Sequence, residues 1–294
     1  MTKPNDFMKD AARTHDPSEY PPEIQSDRPT AARCYDFTLG GKDNFAVDRE
    51  FCVEGFKAFP ESLDIAHENR RFLYRAVRYL ARDVGLKQFL DLGSGLPTQN
   101  NVHDVAQEFQ PDARVVYVDH DPIVLAHGRA ILDKDENTTV IQADMTDPES
   151  LLHGDEVRRL IDFSEPVGVL MFSIPHHIPE DADALRAIRT PLDLVVPGSH
   201  LAITLVVADE EETARAATDH AYEFGLAMRT RTPAALDAWV GDLDAADPGL
   251  CDIGQWRPDP TQGPIEVDAS LRPFLGASQQ RKSIYEYGGV LRKP

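Results

Sequence analysis

The sequence predicts an α/β fold in which helices cover both faces of a mostly parallel sheet. Three observations predict it. Short apolar runs rich in β-branched residues alternate with helix-like segments across the middle of the chain. The first such run, Phe89-Leu90-Asp91-Leu92, empties into Gly93-Ser94-Gly95-Leu96-Pro97, where two residues without Cβ atoms let the backbone turn tightly and approach a ligand. Acidic residues then recur at the ends of the next two runs, at Asp119 and Asp144.

The 294 residues carry 50 acidic and 30 basic side chains, a formal net charge of −20. Such a surface repels phosphate backbones and anionic membranes at long range, so neither nucleic acid nor membrane is an expected partner. No uninterrupted apolar run approaches the length of a membrane span. Cys34, Cys52 and Cys251 are scattered, with no metal-ligand spacing, so neither a metal site nor a disulfide framework is expected. A reduced cytoplasm is the expected compartment.

Met1 to Arg28 is polar and proline-rich, lacks the apolar middle of a secretory signal, and reads as a disordered lead-in over 1–28. Residues 29–86 read as an N-terminal cap segment with helices, and 87–294 as the main domain. Within the cap, Ala31 to Phe45 mixes aromatics, charges and a Gly-Gly break, and sustains neither strand nor helix. Asp48 to Ala58 suggests a short helix. Ser62 to Val84 is a long one, with Ile65, Phe72, Leu73, Ala76, Val77 and Leu80 at helical spacing and Gly85 as its stop.

Strands follow at Gln88–Leu92, Arg114–Val118, Thr138–Gln142, Val167–Phe172 and His200–Val207. They alternate with helices at Asn101–Phe109, Pro122–Leu132, Pro148–Ile161, Asp183–Val195 and Glu210–Phe224. Pro122 opens its helix at the first turn, where a missing N–H costs nothing. Pro233–Val240 is a last helix after Thr232. Leu250–Trp256 and Ile284–Leu291 suggest two strands forming an antiparallel hairpin at one sheet edge.

An open parallel sheet binds ligands outside the carboxyl ends of its strands, so the strand ends carry the functional reading. A dinucleotide loop would read G-x-G-x-x-G, but the third position here is Thr98, after Pro97, which counts against NAD. At the second strand end, Asp119 is placed to accept hydrogen bonds from ribose hydroxyls, and Asp121 to cap the helix that begins at Pro122. At the third, Asp144 offers a carboxylate to an exocyclic amine, and Met145 a soft surface for a ring. At the fourth, Ser173-Ile174-Pro175 runs into His176-His177, a pair suited to general-base work near neutral pH, or to capping and packing.

Together these strand ends resemble the class I S-adenosylmethionine-dependent methyltransferases, with Asp91, Gly93, Gly95, Asp119, Asp144 and Met145 at matching places. The block Ala32-Arg33-Cys34-Tyr35-Asp36-Phe37-Thr38-Leu39-Gly40-Gly41-Lys42-Asp43-Asn44-Phe45 is similar to the signature of an actinobacterial methyltransferase family first catalogued as a domain of unknown function. So are Phe89 to Thr98, Tyr117 to His127, Trp256-Arg257-Pro258 and Tyr287-Gly288-Gly289-Val290. The likeness covers nearly everything from Arg28 to Pro294.

The resemblance implies a Rossmann-like class I methyltransferase fold: a seven-stranded, mostly parallel sheet with a C-terminal antiparallel hairpin and an N-terminal helical cap. It implies S-adenosylmethionine as cofactor, with the glycine loop beside the methionine portion, Asp119 on the ribose and Asp144 on adenine. The expected cofactor contacts also include Ser94, His120 and Phe172. Family members commonly read Leu-His-Phe where this chain has Pro175-His176-His177-Ile178.

The cap is expected to fold over the cofactor, with Tyr35 at the site and Arg33 pairing the cofactor carboxylate; the competing reading is a purely structural block of ion pairs. The fourth strand end lacks the Asn/Asp-Pro-Pro-Tyr/Phe edge of enzymes that methylate exocyclic amines of bases. The expected activity is therefore methyl transfer to an oxygen or nitrogen of a small molecule. The rivals are a sensor that binds S-adenosylmethionine or S-adenosylhomocysteine without turnover, and an NAD-dependent oxidoreductase.

Overall fold

The computed structural model describes residues 26–98, 100–132, 136–223 and 225–294, so the expected lead-in lies outside the described residues up to position 25. The cap block folds as two helices, α1 (Ala31–Thr38) and α2 (Ala46–Ala58), where the sequence suggested no sustained helix in the first part. Asp48 is the organising residue. Its buried carboxylate accepts hydrogen bonds from the Thr30 and Phe45 amides and from Arg33 Nε, tying the start of α1 to the start of α2. The long helix is α3 (Ser62–Arg78), which loosens into a π-helical segment, Tyr79–Val84, and ends at left-handed Gly85.

The alternating region runs β1 (Gln88–Leu92), α4 (Val102–Phe109), β2 (Arg114–Asp119), α5 (Pro122–Leu132), β3 (Thr138–Gln142), α6 (Pro148–Leu152), α7 (Asp155–Leu160), β4 (Gly168–Met171), α8 (Asp181–Leu194), β5 (His200–Val207) and α9 (Glu211–Glu223). The helix expected over Pro148–Ile161 is thus two, with Gly154 between them. The chain closes with α10 (Pro233–Val240), β6 (Asp244–Ala245), β7 (Cys251–Asp252) and β8 (Tyr285–Arg292).

The sheet order is β3-β2-β1-β4-β5-β8-β6, with β7 also paired to β8. The pairings among β1 to β5 are parallel, and β8 runs antiparallel to β5 from His200↔Arg292 to Val207↔Tyr285. The antiparallel close is as expected, but with eight strands in place of seven. The outer strand of the hairpin is broken into β6 and β7. Pro248 lacks an N–H for the ladder, and Gly249 at φ +100° leaves the extended region. The strand expected over Leu250–Trp256 shortens to β7 because Asp252 accepts from the Gly254 amide and starts a 3₁₀ turn.

Alternation sorts the strand residues onto two faces. Leu90, Val116, Val118, Val169, Met171, Ile203 and Leu205 pack with α6, α7, α8 and α10. Phe89, Val115, Leu170, Ala202 and Val290 pack under α3 and α4, with Phe72 and the fully buried Trp256. Strand order reverses between β1 and β4, so the ligand crevice of this topology lies at their carboxyl ends. No described helix is long and apolar enough to cross a membrane.

Candidate functional site

The glycine loop leaves β1 at that crevice. The Gly93 and Ser94 amides both donate to Val118 O of β2, at 2.8 and 3.1 Å. Gly93 (φ +80°) has no room for a side chain: a Cβ there would lie 2.2 Å from Ile174 Cδ1 and 3.0 Å from Met145 Cε. Three loops, those after β1, β3 and β4, therefore meet at this residue. At Gly95 (φ +66°) a Cβ would meet nothing within 4 Å. The loop is thus packed on one side and open on the other, which is the shape a bound ligand needs.

Asp119 ends β2 almost fully buried. Its Oδ2 accepts from the Gly95 amide at 2.8 Å and its Oδ1 from the Asp121 amide at 2.9 Å. Burial raises its pKa against the lowering effect of those bonds. Asp121 caps α5 through the Ile123 amide, as expected. His120 is exposed, with Nδ1 3.6 Å from Asp119 Oδ1. Asp144 is exposed and accepts from the Thr146 amide and hydroxyl, which hold its carboxyl below the usual range. A groove lined by Gln142, Asp144, Asp147 and Glu156 opens beside it.

The N-terminal cap reaches this rim. Phe45 packs with Leu96 of the glycine loop and with Ile123 and Val124 of α5. Tyr35 donates to Ala66 O and accepts from Asn69 Nδ2 at 3.0 Å, so α1 is seated on α3 beside the strand ends. Arg33 does not reach the rim. It is fully buried, its Nε pairs with Asp48 at 2.8 Å, its Nη2 donates to Arg28 O, and its guanidinium lies over the Phe45 ring. Its ionic partner in the structure is Asp48.

A second arginine, Arg70 of α3, interacts with the strand-end carboxylate of Asp91. It donates to Asn100 O, and Asp91 and Tyr35 are among the titratable groups that act on it. Burial pushes the Asp91 carboxyl up to about 7, with Arg70 opposing and Asp119 adding to the rise. Arg70 was missed because Glu68-Asn69-Arg70-Arg71 reads as a solvated helical stretch. Its place one helical turn from the buried Ala66 and Leu73 was the available signal.

The fourth strand end departs most from expectation. His176 is buried, its Nδ1 accepts from the Val206 amide at 3.2 Å, and burial with the neighbouring His177 and Arg231 drives its pKa well below the ordinary value. The lone pair a base would use is already engaged, so His176 fastens the loop to β5. The His177 ring, 4.4 Å from that of His176, is pushed down to about 4 by burial, which makes it a weak base. Phe172 lies in the core, edge-on to Phe72 at 5.9 Å. Beside these, Ser173 (φ +61°) donates from Oγ to Glu286 Oε1 at 2.8 Å. Among the described residues, no group of three His, Cys, Asp or Glu side chains is placed to hold a metal ion.

The family model described as S-adenosyl methyltransferase matches residues 17–294. A crystal structure of a candidate methyltransferase from Thermobifida fusca YX is 39% identical over 93% of this chain and 98% of that one, with a TM-score of 0.78. A DUF574 family protein from Streptomyces avermitilis MA-4680 is 32% identical over 92% of this chain and 100% of that one, also with a TM-score of 0.78. No curated protein matches the chain.

Proposed function

The chain belongs to the S-adenosyl methyltransferase family and uses S-adenosylmethionine, and from that premise we propose that it methylates a small molecule at an oxygen or nitrogen. The cofactor supplies a methyl carbon already activated by a sulfonium sulfur, so the protein's work is binding, alignment and exclusion of water. The open side of Gly95 and the backbone of Ser94 receive the methionine portion. Arg70 offers its carboxylate the planar pair of donors that Arg33 cannot. Asp119 keeps lone pairs for the ribose while its other bonds brace the loop. Asp144 takes the adenine amine, with Met145 against the ring and His120 at the solvent side.

One observation carries the small-molecule reading: the cap bridges α3, through Tyr35, and the glycine loop, through Phe45. An acceptor has to fit under that bridge, which suits a small molecule better than a polymer. The acidic surface, with net charge −20, points the same way.

The test is labelled methyl transfer from S-adenosylmethionine into fractionated cell extract. Label on oxygen or nitrogen in the small-molecule fraction is the expected result. Label in nucleic acid, or no transfer by protein that binds cofactor, would overturn it.

A further inference from the structure

Ser173 is one of the few non-glycine residues in the left-handed region, at φ +61°. Strain of this kind persists where surrounding contacts impose it, and it concentrates at functional sites. Here the contacts are visible. The Ser173 amide donates to Thr204 Oγ1 at 2.7 Å, and its half-buried hydroxyl donates to Glu286 Oε1. Thr204 in turn donates to Asn69 Oδ1 at 2.9 Å, and Asn69 donates to Tyr35. A continuous polar chain thus runs from Glu286 of β8 through β5 and α3 to the cap. Its neighbour on the other side, Ile174, is the residue that touches the Gly93 position.

Glu286 is the anomaly in this chain. It is 2% exposed, and its Oε2 has no hydrogen-bond partner. A buried carboxylate left half satisfied is costly, and a fold with two apolar faces has no structural need of it.

Building on the methyltransferase reading above, we propose that Ser173 and Glu286 form the acceptor site: Ser173 Oγ receives a hydrogen bond from an N–H or O–H of the acceptor, and Glu286 takes the displaced proton through Ser173. The acceptor is therefore a neutral amine, amide or hydroxyl compound that still carries a proton on the nucleophilic atom. The balance is simple. The acceptor gains a methyl and loses a proton, its lone pair making the new bond while the old carbon–sulfur pair stays on sulfur. Ser173 hands its own proton to Glu286 Oε1 as it receives the acceptor's. Glu286 is then a positioning residue that acts through Ser173.

Burial pushes the Glu286 carboxyl up to about 7, against the lowering influence of its polar neighbours Thr204 and Ser173, so it can exchange a proton near neutrality. The groups that face it are Ser173 from the β4 loop, Thr204 from β5 and Tyr35 from α1, with Asn69 of α3 one bond further out. Tyr35 is the titratable one among these, and burial holds its proton up to about 12.

The test uses the full chain with S-adenosylhomocysteine and two fragment pairs, phenol against anisole and aniline against N,N-dimethylaniline, followed by ligand-observed NMR. The proton-bearing member of each pair is expected to bind about tenfold more tightly, the effect of one hydrogen bond to Ser173 Oγ. Ser173→Gly suits φ +61° and keeps the backbone, and Glu286→Gln keeps the shape. Both should abolish the preference with S-adenosylhomocysteine affinity retained by calorimetry. No preference in the wild type, including no binding of either member, or a preference that survives both variants, overturns the acceptor site. Failure to bind S-adenosylhomocysteine at all would count against the cofactor roles instead.

Discussion

Asp119 Oδ2 lies 2.8 Å from the Gly95 amide, so the carboxylate at the end of β2 is also the brace of the loop that follows β1. Two strand ends become one rigid unit before any ligand arrives, and preorganisation of this kind lowers the entropic cost of binding.

Asp119→Ala should therefore weaken S-adenosylmethionine binding by about 1–3 kcal/mol, through lost hydrogen bonds to a charged group. Isothermal calorimetry measures it. Unchanged affinity would remove Asp119 from the site.

Arg70 and Arg33 should separate cleanly. Arg70→Ala is expected to reduce cofactor affinity by about 1.5–3 kcal/mol with little change in stability. Arg33→Ala leaves the buried Asp48 carboxylate without its ionic partner and should cost about 3–5 kcal/mol of stability. Urea melts beside calorimetry decide it, and a swapped pattern would return the cofactor carboxylate to Arg33.

Gly93→Ala and Gly95→Ala should also differ. Both residues have positive φ, so each substitution strains the backbone by roughly 1–2 kcal/mol. At Gly93 the new methyl also collides with Ile174 and Met145, which should appear as a further loss of stability. At Gly95 it enters open space, so the excess effect should fall on cofactor affinity. Equal losses of both kinds in the two variants would contradict this division.

Glu286 sets a pH signature. Its folded pKa of about 7 lies above an ordinary value of about 4.3, so folding takes up a proton between those limits. That contribution to stability is present below about pH 4 and is lost as pH rises through about 7. Glu286→Gln cannot ionise, so its stability relative to wild type should improve as pH rises from about 4 to about 7. His177, lowered to about 4, acts oppositely: its contribution is present above about pH 6.5 and is lost as pH falls towards about 4. Denaturant titrations at several pH values give both, and a Glu286→Gln difference independent of pH would refute the first.

The sequence disclosed the parallel strands: Gln88–Leu92 and His200–Val207 are buried along their whole length, and the β-branched run in Thr138–Gln142 marks the edge strand. It disclosed the turn after β1 too, because Gly93 and Gly95 adopt positive φ there and Asp119 accepts from the Gly95 amide. The acceptor side was hidden for physical reasons. In Tyr285-Glu286-Tyr287 the alternation reads as a strand with one wet face, but β8 is an interior strand covered on both sides. His176-His177 looked chemical because histidine titrates near neutrality, and only its contact with the Val206 amide reveals a fastening. The ion pair between Arg33 and Asp48 spans 15 positions, and nothing local in the sequence links the two.

β8 comes last in sequence order, yet it lies between β5 and the short strands β6 and β7. The segment before it is stitched to α3: Arg75 donates to the Ile253 and Trp256 carbonyls, and Asp64 accepts from the Gly276 and Ser278 amides. A nascent polypeptide stalled on the ribosome before Tyr285 displays the bare hydrogen-bonding edge of β5, an invitation to mispairing. The sheet can close only once β8 has been made, so until then β5 keeps an unpaired edge that other strands can capture.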